Sequence, residues 1–299
     1  MNPYPKNPQE DNLMLLALST NGAAATRETF GKYREASIPA MEISNGQQAD
    51  ADRIDFPMLR RCADEFGITL WSYHLPFAPF KTIDPSVPAL AESTVAYFCS
   101  LIDKAAEAGI RIFVVHPSGE PIDEADRPMR METAKKSLAA LAEYAKTKGG
   151  VIAVEDLPRT CLGRDSSDIL DLISAHPDLR VCFDTNHLLK EDIGDFIRAV
   201  GDRIVTTHVS DYDFVNERHW LPGEGQIDWA MLKSTLDAVS YDGCWLYELG
   251  LGGSDWTIDR PRALTHADIR RNYEEIFSGK APTAVGQAKP NLPMKKPKE

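Results

Sequence analysis

Short apolar runs alternate with longer amphipathic stretches along most of the chain. The runs are Leu13–Ser19 (LMLLALS), Ala40–Ser44 (AMEIS), Ile68–His74 (ITLWSYH) and Arg111–His116 (RIFVVH). Four more follow at Val151–Glu155 (VIAVE), Leu179–Asp184 (LRVCFD), Arg203–Val209 (RIVTTHV) and Cys244–Leu249 (CWLYEL). Each is too short for a helix and rich in Val, Ile, Leu or aromatic residues, as in strands buried on both faces. Between them lie helical patterns, clearest over Val87–Ala108 and Met129–Lys148. In the second, Ala134, Leu138, Leu141 and Ala145 recur at i, i+4, i+7 and i+11 and so share one face. Asp165–Ala175 opens on an Asp/Ser cluster able to cap a helix, while Gly67, Gly109 and Gly149-Gly150 stand where helices end before strands.

Eight strands alternating with helices predict a parallel α/β fold. Eight within residues 12–278 match a closed (β/α)8 TIM barrel, typically about 250 residues, as a single domain. The structural alternative is an open doubly wound sheet, but no G-x-G-x-x-G follows the first strand. From Gly279 the composition changes. The segment 279–299 holds five Lys, four Pro, one Glu and no aromatic residue, and is expected to be a disordered Lys/Pro-rich tail. Its net charge of +4 leaves the body at −16, since the whole chain carries −12.

That acidic body argues against general affinity for nucleic acid or an anionic membrane. The five cysteines, Cys62, Cys99, Cys161, Cys182 and Cys244, form no C-x-x-C pair, which suits a reduced, cytoplasmic protein better than a disulfide scaffold. The polar start MNPYPKNPQEDN contains no apolar signal-peptide core. No run approaches the roughly 18 apolar residues needed to span a bilayer.

Strand ends carry the candidate chemistry. The third strand ends at His74, the fourth at His116, the fifth at Glu155 and the sixth at Asp184, with His187 just beyond. The seventh contains His208 and the eighth Glu248. A parallel barrel gathers all C-terminal strand ends on one rim, where such enzymes assemble their sites. Glu155, Asp184, His208 and Glu248 together offer three carboxylates and one imidazole, a donor set suited to Mn²⁺, Mg²⁺, Co²⁺ or Zn²⁺. Three carboxylates buried together without a cation would repel strongly. The loop Asn216–Trp229 (NERHWLPGEGQIDW) adds Glu217, Arg218 and His219 on the same rim, next to a glycine-shaped turn, with Asp228 placed to cap the next helix. Trp71, Phe77, Phe80, Trp220 and Trp256 are candidates to line a substrate pocket near the rim, although ordinary packing is the commoner role for most such residues.

The ordered pieces VEDLP, FDTNH, HVSD and RHWLPGEGQIDW, each after its expected strand, resemble the xylose-isomerase-like TIM-barrel superfamily, also called the sugar phosphate isomerase/epimerase family. The resemblance runs over residues 12–278. It implies that Glu155, Asp184, His208 and Glu248 hold a divalent metal, manganese first, with zinc, magnesium and cobalt as alternatives. It further implies that Glu155 and Glu248 serve as acid and base on opposite faces of a small keto-sugar. His187 and Arg218 would grip substrate oxygens, with His74 and His116 close to the substrate. The expected activity is isomerisation, epimerisation or a related elimination through a metal-stabilised enediolate. No phosphate cradle is visible.

The same superfamily contains trinuclear-zinc apurinic-site endonucleases. Their added ligands match His74, His116, His187, Glu217 and His219, with Glu217 standing where those enzymes carry Asp. A duplex-gripping basic and aromatic loop is missing from this sequence. A non-catalytic sugar-binding barrel is the third reading, and the intact quartet argues against it. Barrels of this kind often pair, so a homo-oligomer is compatible with the sequence, which carries no specific interface signal.

Overall fold

The computed structural model describes residues 14–289 and residue 292. Its strands are β1 (Leu15–Ser19), β2 (Ala40–Ser44), β3 (Thr69–His74), β4 (Ile112–Val115), β5 (Val151–Glu155), β6 (Arg180–Asp184), β7 (Ile204–His208) and β8 (Cys244–Tyr247). All pair in parallel in the order β7-β6-β5-β4-β3-β2-β1-β8. Just past β7 the ring closes. Val209 donates its N–H to Leu246 O at 2.7 Å and accepts from the Glu248 N–H at 3.1 Å. Thr207 supports the seam by donating its hydroxyl to Cys244 O at 2.9 Å.

Helices α1 (Arg27–Glu35), α2 (Gln48–Ala51), α3 (Phe56–Phe66), α4 (Pro88–Glu107), α5 (Arg127–Thr147), α6 (Ser166–Ile173), α7 (Ile193–Val200), α8 (Trp229–Ala238) and α9 (His266–Phe277) fill the connections. Asp55, Asp165, Asp192, Asp228 and Thr265 each accept a first-turn backbone N–H, which fixes where five of them start. Gly67 ends α3 in the left-handed region at φ 65°, as its place in the sequence predicts. Among the described residues no helix is long and apolar enough to cross a membrane.

Two layers of apolar packing result. The larger lies between strands and helices; the smaller fills the barrel, where Ala17, Ala40, Ala153 and Cys182 leave room for Trp71. The Trp71 indole crosses the interior and donates to Thr206 Oγ1 at 3.1 Å.

Two register shifts decide what the barrel mouth contains. Met41 pairs with Leu70 but Glu42 with Ser72, so Trp71 is an extra residue on β3. Val181 pairs with Ile204 but Cys182 with Thr206, which makes Val205 extra on β7. Strand side chains alternate faces, and a bulge resets the alternation. Trp71 and Ser72 therefore both face the interior, as do Val205 and Thr206. The next inward residues become His74 and His208 rather than Tyr73 and Thr207. Tyr73 instead packs outward, edge-on to Phe56 at 5.3 Å.

The segment expected to be a disordered tail begins differently. Gln287–Ala288 (β10) pairs antiparallel with Ile258–Asp259 (β9). Gly286 donates to Glu224 Oε1 at 2.7 Å, Thr283 donates to Glu275, and Lys289 Nζ reaches Asp255 O at 2.6 Å. Composition predicted disorder because Pro and Lys cannot build a core. Here the backbone is held by acceptors on the barrel instead. Residues 290, 291 and 293–299 lie outside the described residues, as does Leu13 of the first predicted strand.

Glu224 is central to that attachment. Its side chain is fully buried and pairs with Arg260 through contacts of 3.0 and 2.5 Å. It also accepts the Leu221 N–H at 2.9 Å. Removing one member of a buried pair strands the other charge. Glu224→Ala is expected to lose about 3–5 kcal/mol, measured by urea unfolding, and to expose residues 280–289 to trypsin.

Candidate metal centre and active site

The rim is assembled from strand ends. His74, Glu155, Asp184 and His208 are the last residues of β3, β5, β6 and β7, and His116 and Glu248 directly follow β4 and β8. Glu155 is 1% exposed, Asp184 and His208 0%, and Glu248 8%. One donor atom from each of these four lies within 4.8 Å of the others. His208 Nδ1 is 3.1 Å from Glu155 Oε1, 3.2 Å from Glu248 Oε2 and 3.9 Å from Asp184 Oδ2. Asp184 Oδ2 is buried with no hydrogen-bond partner among the described residues, while Oδ1 accepts the Asn186 N–H at 2.7 Å. An orphaned carboxylate oxygen aimed at two more carboxylates and an imidazole fits a hard-to-borderline divalent cation. The nearby Cys182 thiol is a poorer donor, because burial pushes its pKa well up and keeps it protonated.

Two triads flank this quartet: His74, His116 and Glu155 on one side, His187, Glu217 and His219 on the other. Glu155 Oε2 lies 3.0 Å from His74 Nε2 and 3.2 Å from His116 Nε2. His187 Nε2 lies 3.3 Å from Glu217 Oε2. Carbonyl oxygens only accept, so ring nitrogens facing them must donate. His74 Nδ1 donates to Leu75 O at 2.9 Å, His187 Nδ1 to Asp156 O at 2.7 Å and His219 Nδ1 to Glu248 O at 3.2 Å. Each of these rings thus presents Nε2 to the site.

The two central glutamates are pushed in opposite directions. Burial raises Glu248, helped by the charges of Glu155 and Asp184 and opposed by His208. Burial would also raise Glu155, but His208 and His116 hold it well below the usual carboxylate range. Burial pulls His116 down. Glu217 is held low by His187 against its own burial.

The loop after β7 is built on Asp211. Its carboxylate accepts N–H groups of Gly223 at 2.8 Å and Ile227 at 3.2 Å and the Trp229 indole at 3.0 Å. A Cβ at Gly225 would meet Asp211 Oδ1 at 2.3 Å and Tyr212 O at 2.4 Å, so only glycine fits. The Arg218 side chain is fully buried, with Nε 2.9 Å and Nη2 2.8 Å from Asp213 Oδ2 and its guanidinium 5.6 Å from the Trp256 ring centre. Asn186 Oδ1 accepts the Arg218 N–H at 3.0 Å, tying this loop to the end of β6.

Sequence patterns therefore located residues that do converge, but not their supports. Glu42, Ser72, Asp156, Arg159 and Asp213 were missed. Arg159, at φ 58°, binds Glu120 at 2.6 Å, Asn216 at 2.7 Å and Glu217 at 2.9 Å. Of these five only Glu42 carried a visible signal, as a charge inside the apolar run AMEIS. The aromatic candidates divide. Phe77 stacks on His116 at 4.3 Å and Trp256 covers Arg218. Trp71 and Trp220 are buried packing residues, and Phe80 lies against Gly119.

Fold and rim together define a parallel barrel with a carboxylate–histidine cluster at its C-terminal mouth. The sequence pattern of the xylose isomerase-like TIM barrel matches residues 30–267, and the chain belongs to that family. Over 251 residues it is 24% identical to a D-psicose 3-epimerase of Enterocloster bolteae, spanning 75% of this chain and 78% of the relative. It superposes on a D-tagatose 3-epimerase-like protein with a TM-score of 0.73 at 20% identity, covering 89% of this chain and 96% of that one. For a 3-keto-D-glucoside 4-epimerase of E. coli the TM-score is 0.67 at 16% identity, over 81% of this chain and 94% of the other. At these identities the superpositions speak to the fold.

One titration checks the geometry. Burial alone would lower His74, but the hydrogen bond and charge of Glu155 outweigh it and push the imidazole from 6.5 up to about 9. The folded state then holds this proton more tightly than the unfolded chain does. In chelator-treated protein the contact stabilises fully below pH 6.5 and fades as pH rises through about 9. NMR titration should show His74 charged at neutral pH, and Glu155→Gln should lower its midpoint. A neutral His74 at pH 7 in the unsubstituted protein would contradict the contact.

Proposed function

We propose that this protein is a divalent-metal-dependent keto-sugar epimerase that moves a proton at the carbon next to the substrate carbonyl. The observation that carries the proposal is the convergence of Glu155, Asp184, His208 and Glu248 on one point at the barrel mouth. Those four residues would hold the cation, with manganese the first candidate. When bound, such an ion supplies Lewis-acid polarisation of a carbonyl and its neighbouring hydroxyl, which acidifies the C–H beside the carbonyl.

The chain's own residues account for the remaining steps. Glu155 and Glu248 approach the same His208 nitrogen on separate strands, β5 and the end of β8. One takes the proton as general base and the other returns one to the opposite face of the planar enediolate, which inverts that carbon. Opposed environments for two carboxylates are the usual basis for dividing acid and base roles. His187 and Arg218 orient substrate oxygens: His187 is fixed by Asp156 O, and Arg218 by Asp213 and Trp256. The rim arginines Arg159 and Arg218 each already hold a carboxylate, which supports a neutral sugar over a phosphorylated one. The D-psicose 3-epimerase relative points to carbon 3 of a free ketose.

The flanking triads favour a second reading, a trinuclear-zinc phosphodiesterase acting on abasic DNA. Arg159 weighs against it, since its guanidinium already neutralises Glu217, 2.9 Å away.

Two measurements separate the readings. Protein purified without added metal should contain about one divalent ion per chain, and Glu155→Ala or Asp184→Ala should lose most of it. About three zinc ions would favour the phosphodiesterase. In D₂O, NMR should show deuterium entering carbon 3 of a responsive ketose, with no cleavage of an abasic oligonucleotide. Glu248→Gln should slow that exchange by about 10²–10⁴-fold. Oligonucleotide cleavage without exchange would overturn the proposal.

A further inference from the structure

His208 is held differently from the other site histidines. His74, His187 and His219 each give Nδ1–H to a backbone carbonyl and present Nε2. His208 presents Nδ1 to the acid cluster and turns Nε2 down into the barrel, 3.1 Å from Glu42 Oε2. Glu42 is 0% exposed and lies on β2, whereas His208 lies on β7 across the barrel. The same oxygen accepts the Ser72 hydroxyl at 2.7 Å, and β2–β3 pairing puts Ser72 directly beside Glu42. Glu42 Oε1 has no hydrogen-bond partner among the described residues.

Burying a fourth carboxylate beneath three others works against stability. A Gln or a packed Leu would fill the position with less repulsion. Leu cannot accept an N–H and Gln accepts it without a charge, whereas a carboxylate on the far nitrogen of a ligating imidazole both fixes which nitrogen faces the ligand and strengthens its lone pair. We propose that Glu42 is a positioning residue that locks the His208 ring through Nε2–H, so that Nδ1 is the nitrogen offered to a cation. This rests on the metal-dependent reading given above. Ser72 holds the Glu42 carboxylate at the required angle.

The test compares unsubstituted protein, Glu42→Gln and Glu42→Leu by two readouts. The first is Mn²⁺ affinity, by competition with a chelating dye. The second is the His208 Nε2–H proton in ¹⁵N–¹H spectra of chelator-treated protein, identified by its absence from His208→Gln. Glu42→Leu should lose this protected proton and bind Mn²⁺ about 100-fold more weakly, and Glu42→Gln should keep the proton and bind about 10-fold more weakly. Should Glu42→Leu fail to fold, Glu42→Gln alone decides. Glu42→Gln binding Mn²⁺ as tightly as the unsubstituted protein overturns the proposal, as does a folded Glu42→Leu that keeps the proton. A purely structural role would lower stability and leave both readouts unchanged. Unsubstituted protein that binds no Mn²⁺ or Zn²⁺ would instead retire the metal reading, and the proton, which needs no metal, would still show whether Glu42 holds the ring.

Discussion

Mutual repulsion among buried carboxylates is the constraint around which this barrel mouth is organised. Glu42, Glu155, Asp184 and Glu248 all crowd the single imidazole of His208. At an effective permittivity near 20, two like charges about 4 Å apart repel by roughly 4 kcal/mol. Several such pairs would consume much of the stability of an ordinary domain, about 5–15 kcal/mol. A charged His74 relieves part of it, its imidazolium lying 3.0 Å from Glu155. A divalent cation would relieve far more, and Asp184 Oδ2 has no hydrogen-bond partner among the described residues.

The rest of the structure keeps those groups from moving apart. Extra residues on β3 and β7 swing His74 and His208 inward, where an unbroken alternation would have delivered Tyr73 and Thr207. Asp211 cinches the loop after β7 so that Arg218 and His219 return toward the rim. Glu224 and Arg260 bind that loop to the segment following α9. Each of these polar groups sits inside apolar packing, where its hydrogen bonds have few competitors. Rigidity at the mouth holds Glu155 and Glu248, from different strands, against one point.

Much of this was legible in the sequence, because the signals were local. Apolar runs marked all eight strands, and a carboxylate or imidazole closing run after run marked the rim. Aspartates and glycines at helix ends marked where strands begin. What stayed hidden depends on registration between distant segments. No local pattern distinguishes Trp71 as an inserted residue, because both it and its neighbours are compatible with a strand. Arg159 meets Glu217 only because the loop after β5 bends back across the rim. The Lys/Pro-rich composition after Gly279 predicted disorder, yet Gly286 and Lys289 find acceptors on the barrel. Glu42 was visible as a charge in an apolar run, but its partner lies 166 residues away.

The central claim is that three carboxylates and one imidazole from separate strands share one cation. Crystals grown with Mn²⁺ and measured at the manganese absorption edge test it most directly. The account predicts a dominant anomalous peak bounded by Glu155, Asp184, His208 and Glu248, with His208 contributing Nδ1. A peak confined to the flanking histidines, or none at saturating Mn²⁺, would contradict it.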